Sequence, residues 1–372
     1  MSKDAIRTDK SRLRSIDALR GFDMFWIMGV GSVIVHTAAV EQTHFWTAFA
    51  AQFEHPYWDG FTLWDMIFPL FMFLSGMSSP FSIDKQLKDG RTRKQILWKV
   101  IKRGVLLVLL GIIYNTKGFE LRPLEEYRYA SVLGKIGVSY VFANIIFLYA
   151  KPKGHVIWYL GLLIGYWLLL KFTSAPGYLP GNLTEEGNFA SYFDRHVLPG
   201  VLSRGIHDTV GLFCTITGVS TTLLGVIAGN FLKKHPMEPK KKVHWFCIVG
   251  VTLISVGLLW NLDFPINKNL WSSSFTVLTG GISLLLFALF YYIIDIRGYY
   301  KWSFFFRVIG MNSIFIYISP IFINYSYIAR AAFRSVGQLS GQYERPVMGL
   351  FTLLVSWLVL YFMYRKNIFL KI

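Results

Sequence analysis

Charge is scarce in this sequence. Asp, Glu, Lys and Arg make up 16% of its 372 residues, while apolar types make up 53%. A soluble chain of that length needs far more polar surface. Cysteine is scarcer still. Cys214 and Cys247 are the two thiols, each inside an apolar run, which excludes a disulfide framework and leaves small packing residues. The eight histidines show no metal-ligand spacing, so no metal is expected. The polar, basic segment 1–18 is not followed by a short apolar core and a cleavage site. It reads as a cytoplasmic start rather than a removed signal. No inverted repeat of the transporter kind is visible, and no soluble domain interrupts the chain.

What is present is a series of apolar runs, each close to the ~20 residues that cross a bilayer. Backbone groups in lipid have to be paired within the segment, so such runs are helices. Ten are expected, at about 19–40, 61–83, 96–114, 130–150, 155–172, 210–232, 243–261, 269–294, 303–325 and 346–364. Trp46, Trp58, Trp98, Trp271 and Trp302 lie near run ends, as interfacial anchors do. The fold class is therefore all-α: a polytopic transmembrane bundle, with 1–18 a cytoplasmic segment and 19–372 a single membrane domain. A net charge of +17 would suit a nucleic-acid partner, but its distribution does not. With the N-terminus inside, the inner segments carry about 22 Lys and Arg and the outer ones about 9. That bias places both termini in the cytoplasm. The tract from Lys233-Lys234 to Lys240-Lys241-Lys242 is its clearest part.

Polar groups at membrane depth are costly and carry a functional hypothesis by default. Arg14, Ser15, Asp17 and Arg20 open the first helix, where capping and snorkelling are one reading of them and a functional role is the other. Asp23, one turn deeper, is placed to pair with Arg20 at i,i+3. The outer segment Gln52-Phe53-Glu54-His55-Pro56-Tyr57-Trp58-Asp59-Gly60 is followed by Asp65 and Pro69 in the second run. Pro69 is expected to bend that helix, with Asp65 one turn before the bend. A carboxylate beside an imidazole fixes its tautomer and raises its basicity. His55 is then a candidate general base or acyl acceptor; the competing reading is a solvated loop histidine. The long outer segment 173–209, rich in Pro and Gly, is either functional or a cap over helix ends. Asn267, Lys268 and Asn269 bracket an outer turn, and Asn312 and Ser313 lie in the ninth helix with Arg307 below them. Such amides and hydroxyls either join helices or bind ligand hydroxyls.

Taken together, the strings resemble a known family. Arg12-Leu13-Arg14-Ser15 with Asp17-Ala18-Leu19-Arg20-Gly21 is similar to the opening of the transmembrane acetyltransferases typified by heparan-α-glucosaminide N-acetyltransferase. The similarity continues through His55, Trp58, Gly60, Asp65, Phe68, Pro69, Phe71, Phe73 and Gly76. It returns at Pro265-Ile266-Asn267-Lys268-Asn269-Leu270-Trp271-Ser272, at Gly310-Met311-Asn312-Ser313 and at Tyr364-Arg365-Lys366-Asn367-Ile368-Phe369, and so covers nearly the whole chain. Lacking a large N-terminal outer domain, the sequence is similar to the bacterial NagX-like branch.

The resemblance implies transfer of acetyl from cytoplasmic acetyl-CoA to the amine of glucosamine, or of a terminal glucosaminide, on the outer side. It implies a homodimer in a bacterial cytoplasmic (inner) membrane, with no metal. The family's active-site histidine falls on His55, on the periplasmic side in this topology. For such a reaction Asp65 would orient the ring, and Tyr57, Trp58, Asn267, Asn269, Asn312 and Ser313 would hold the sugar or polarise the thioester. Arg14, Arg20, Lys102, Arg103 and Arg307 are the cationic candidates for the coenzyme. One position departs from the pattern: the family's first-helix asparagine, eleven residues beyond the arginine of the Arg-Gly pair, falls on Gly31. The alternative reading is an amino-sugar transporter, which repeated halves and matching broken helices would mark.

Overall fold

Each expected apolar run folds as a helix, with ends set by caps and charges rather than by hydrophobicity alone. The computed structural model describes residues 13–118, 121 and 123–370, and these are helical apart from loops and two isolated β-bridges. In chain order the helices are α1 (Arg14–Glu41), α2 (His44–Ala51), α3 (Leu63–Lys88), α4 (Arg93–Asn115), α5 (Val132–Tyr149), α6 (Pro152–Phe172) and α7 (Phe189–Val197). They continue with α8 (Thr215–Lys234), α9 (Pro239–Trp260), α10 (Ser273–Ile296), α11 (Phe304–Met311), α12 (Ser313–Ile321), α13 (Tyr325–Leu339) and α14 (Gly341–Arg365).

Among the described residues, eight helices are long and apolar enough to cross a membrane, or nine if α11 and α12 count as one span bent by 73°. That is short of the ten expected. The difference is the bent pair, where it is not counted, and α4, which occupies the run expected at 96–114 but carries Lys99, Lys102 and Arg103 in its first half. Two further expectations need correction. Pro69 bends nothing: it sits in the first turn after the 3₁₀ turn Leu63–Met66, where its missing N–H would be unpaired in any case. The irregularity lies instead in α1, where Trp26–Val30 form a widened turn around Gly29 at φ 138°. Trp271 is no interfacial anchor. It is fully buried against Phe68 and beneath the Lys135 ammonium, whereas Trp98 and Trp302 are exposed as anchors would be.

The buried centre is α3 with α8, flanked by α10. Their backbones touch because glycines meet carbonyls: a Cβ on Gly76 would lie 2.0 Å from the Thr222 oxygen, and one on Gly225 2.0 Å from that of Phe73. Helix α1 meets α11 the same way at Gly21 and Gly310. The ion pair in α1 is Asp17–Arg20 at 3.8 Å rather than Arg20–Asp23, and Arg20 also donates to the Ser78 hydroxyl at 2.9 Å. Two loops then close over one end of α3. Gly60, at φ 122°, donates its N–H to the Ile266 carbonyl at 2.9 Å and bridges to Asn267, so segment 52–62 is fastened to segment 261–272.

Candidate functional site

The site begins with a helix cap. Thr62 opens the 3₁₀ turn, and its N–H donates to Asp65 Oδ2 at 3.0 Å while its hydroxyl lies 3.3 Å from the same oxygen. That leaves Oδ1 free to face His55, whose Nδ1 lies 2.7 Å away. A carboxylate only accepts, so Nδ1 carries the proton and the Nε2 lone pair points outward. Asp65 is fully buried; the His55 side chain is 45% exposed, open to a ligand on its far edge.

A third group completes the array. Lys268 Nζ stands over the imidazole, 2.9 Å from His55 Nε2 and 3.1 Å from Nδ1, and 3.3 Å from Asp65 Oδ1. Burial holds this lysine below the usual lysine range, and the Asp65 carboxylate pulls against that shift. Its turn is held rigidly by its neighbours. Asn267 donates to Asp59 Oδ1 at 2.9 Å and accepts from the Leu270 N–H at 2.8 Å, while Asn269 donates to the Trp58 carbonyl at 2.9 Å.

His55 and Lys268 line two cavities at once. One, of about 200 Å3, is polar and includes Trp58, Arg128, Arg204 and Asn269. The other, of about 250 Å3, is apolar and includes Met24, Trp64, Phe68, Phe71 and Tyr317. Arg128 is locked to Asp208 by two hydrogen bonds of 2.9 and 2.8 Å, and Arg204 donates to the Tyr57 carbonyl at 2.8 Å. The long segment 173–209 both caps helix ends and supports the site: the Leu183 carbonyl accepts from Trp58 Nε1 at 2.9 Å, and the His207 ring packs edge-on against Trp58 at 5.0 Å.

Of the side chains expected to act together, His55, Asp65, Trp58 and Asn269 converge. Asn267 adjoins them as a buried brace. Tyr57 turns its hydroxyl to Glu185 at 3.1 Å, away from both cavities. Asn312 and Ser313 are not brought to His55. Asn312 spans the α11–α12 break and binds the C-terminal tail, donating to the Ile368 carbonyl and accepting from the Leu370 N–H, each at 3.0 Å. Arg14 lies over Tyr300 at 4.3 Å, Lys102 over Trp98 at 5.4 Å and Arg103 over Tyr140 at 4.4 Å. Like Arg20 and Arg307, they line neither cavity. Gly31 has a physical reason. A Cβ there would lie 2.6 Å from the Trp64 ring, so that indole occupies the space of the asparagine expected in the family.

Residues 12–256 match the model of the catalytic region of heparan-alpha-glucosaminide N-acetyltransferase. The chain belongs to this family. It is 30% identical to human heparan-alpha-glucosaminide N-acetyltransferase over 417 aligned positions, covering 97% of this chain and 60% of the human protein. Against the mouse protein of the same name the identity is 27%, covering 98% and 61%. The chain therefore spans about 60% of the length of these relatives. The family match takes in His55, Asp65 and Gly31 and ends before Lys268. Sequence reasoning named Lys268 only as part of a turn and missed Arg128, Arg204, His207 and Asp208. The one signal for Lys268 was its place between two asparagines in a string typical of the acetyltransferases.

Proposed function

We propose that this protein moves an acetyl group from acetyl-CoA to the amine of glucosamine or of a terminal glucosaminide, with His55 at the transfer centre. The observation that carries this reading is the Asp65–His55–Lys268 array set between a polar and an apolar cavity. An amine attacks a thioester only after losing its proton, and a base within hydrogen-bond reach meets that need. As the amine nitrogen bonds to the acetyl carbon, His55 Nε2 takes its proton and Asp65 holds the imidazolium that results; the C–S bond then breaks and the imidazolium returns that proton to the departing thiolate of coenzyme A. Lys268 Nζ lies over the imidazole, 2.9 Å from Nε2 and 3.1 Å from Nδ1, so the space beside the ring already holds a cation such as a sugar ammonium would be. When the sugar displaces it, Lys268 is within reach of the thioester oxygen and neutralises the charge that develops there.

The two cavities divide the labour. Trp58 and the arginines suit a hydroxylated ring, and the apolar chamber suits the arm of the donor. The Lys and Arg distribution supports an outer position for His55, with the donor reaching it from the cytoplasm between the helices. The broken pair α11–α12 has no counterpart among the described residues, which supports an enzyme over a transporter of repeated halves.

The test is purified protein with acetyl-CoA and glucosamine, followed by thiol release and by mass of the sugar product. His55→Ala should lower the rate by about 10²–10⁴. A variant that acetylates at the wild-type rate removes His55 from the mechanism, and a folded wild type inactive on every amino sugar removes the reading itself.

A further inference from the structure

A cavity of about 1000 Å3 lies between the second half of α1, α13 and the start of α14, with His36, Arg330, Arg334, Glu344 and Arg345 in its wall. Arg330 and Arg334 stand one turn apart on α13, and Arg345 belongs to the first turns of α14. Among the described residues, none of the three guanidinium groups has a hydrogen bond, ion pair or ring partner, and Glu344 is paired with none of them. Like charges at i,i+4 repel, and a cluster of free guanidinium forks is a ready partner for an anion. The cluster does not disperse as a body, because Phe333 stacks on Phe351 at 4.2 Å and pins α13 to α14.

The base of this cavity supplies a second, independent observation. Ser326 and Thr352 are shared with an adjoining chamber of about 600 Å3, whose walls include Met24, Ile27, Met28, Ile316 and Phe322. A cationic mouth thus leads into a throat whose Met, Ile and Phe walls are interrupted by the hydroxyls of Ser326, Thr352 and Ser356. That throat in turn shares Met24, Ile27, Tyr114 and Tyr317 with the apolar cavity beside His55.

We propose that the mouth and throat bind a phosphate-headed ligand with a long slender arm. The phosphate sits on Arg330, Arg334 and Arg345, and the arm lies in the chamber beyond Thr352. Planar guanidinium forks match phosphate oxygens two at a time, and an acyl arm gains from the Met24, Ile27, Met28, Ile316 and Phe322 side of the throat. The mouth lies at the second half of α1 and the start of α14, the outer end in the topology read from the sequence, so the source of this form is an anionic phospholipid rather than a cytoplasmic coenzyme. The proposal stands on the geometry of the groove and does not depend on acetyl transfer.

Native mass spectrometry of the delipidated full chain tests it, with phosphatidylglycerol, phosphatidylcholine, coenzyme A and pyrophosphate as probes. Phosphatidylglycerol should bind at least tenfold more tightly than phosphatidylcholine or coenzyme A. Arg330→Gln/Arg334→Gln/Arg345→Gln should cost tenfold or more, while the triple Arg→Lys variant keeps most of the affinity. Thr352→Phe, which narrows the passage, should weaken the armed ligand and leave pyrophosphate unchanged. Preference for phosphatidylglycerol supports the proposal, and preference for coenzyme A overturns it. Equal binding of phosphatidylcholine, unchanged binding by the Gln variant, or no binding of any probe overturns the proposal. Single Arg→Gln variants carry the same test if the triple variant does not fold.

Discussion

At the scale of single residues, His55 is defined by what surrounds it. Asp65 fixes the proton on Nδ1, and Lys268 sets the charge in front of Nε2. The first of these partners was legible in the sequence, because His55 and Asp65 lie ten positions apart in one polar segment. The second was not. Lys268 is 213 positions away, and a turn lysine gives no sign of being buried until the loops close. Its lowered proton affinity makes a prediction with a definite sign. As pH rises through a lysine pKa that burial has depressed, the ammonium is lost before the ordinary value of 10.5. If that charge stabilises the thioester oxygen, kcat/KM falls on the alkaline side earlier than a normal lysine allows. Lys268→Arg keeps its charge at any accessible pH, so its alkaline limb should move upward, and Lys268→Met should lose the limb along with most of the rate. A pH–rate profile unchanged in Lys268→Arg would assign that limb to another group.

At the scale of elements, apolar run length located the helices to within several residues, since burial and backbone pairing in lipid leave few alternatives. Irregular points were less legible. Pro69 looked like a kink and proved to be a first-turn residue, while the real breaks fall at Gly29 and at Asn312, where composition alone gives no warning. Gly31 follows from the same region. Its lack of a side chain admits the Trp64 ring, so Gly31→Asn should overpack the α1–α3 contact and cost about 1–3 kcal/mol. Trp64→Ala in the same chain should recover part of that loss, and denaturation of the two variants and their combination measures it. Additive losses would show that the residues do not compete for one space.

The segment holding α7 has two buried groups that titrate in opposition. Burial pushes His207 down to about 4 and Asp194 up to about 6. His207 is built to be neutral: Nε2–H donates to the Asn269 carbonyl, and Nδ1 accepts from the Ser191 hydroxyl at 2.7 Å. A depressed histidine contributes stability above its unfolded pKa and loses it as pH falls through 6.5 towards about 4. A raised carboxyl does the reverse, losing stability as pH climbs from 3.8 through about 6. At ~1.4 kcal/mol for each tenfold change in proton affinity, the two contributions are each roughly 3 kcal/mol and nearly cancel. Asp194→Asn should therefore unmask acid sensitivity between pH 6.5 and 4. His207→Gln should leave a chain that weakens as pH rises over the same range. Thermal melts across that range check both, and parallel slopes in the two variants would reject the pairing.

At the scale of the whole molecule, the chain sets a titratable centre between a polar and an apolar cavity at one end of a helical bundle. Membrane class was readable from the sequence because lipid imposes it through composition. The meeting of distant loops was not, because it depends on packing between segments about 200 positions apart, as in the Asn267–Asp59 contact. Orientation yields the last prediction. The Lys240-Lys241-Lys242 tract precedes most of α9 and should lie on the cytoplasmic face, and His55 lies beyond the opposite end of the membrane helices. In proteoliposomes with the protein in one orientation, acetyl-CoA should act only on the face where trypsin cleaves that tract, and glucosamine only on the other. The apolar cavity beside His55 makes such a division physically reasonable, since a slender arm passes between helices where a sugar cannot be desolvated cheaply. Acetylation with both substrates on the tract side alone would place the reaction on a single face, and the arm would then need no passage through the bundle.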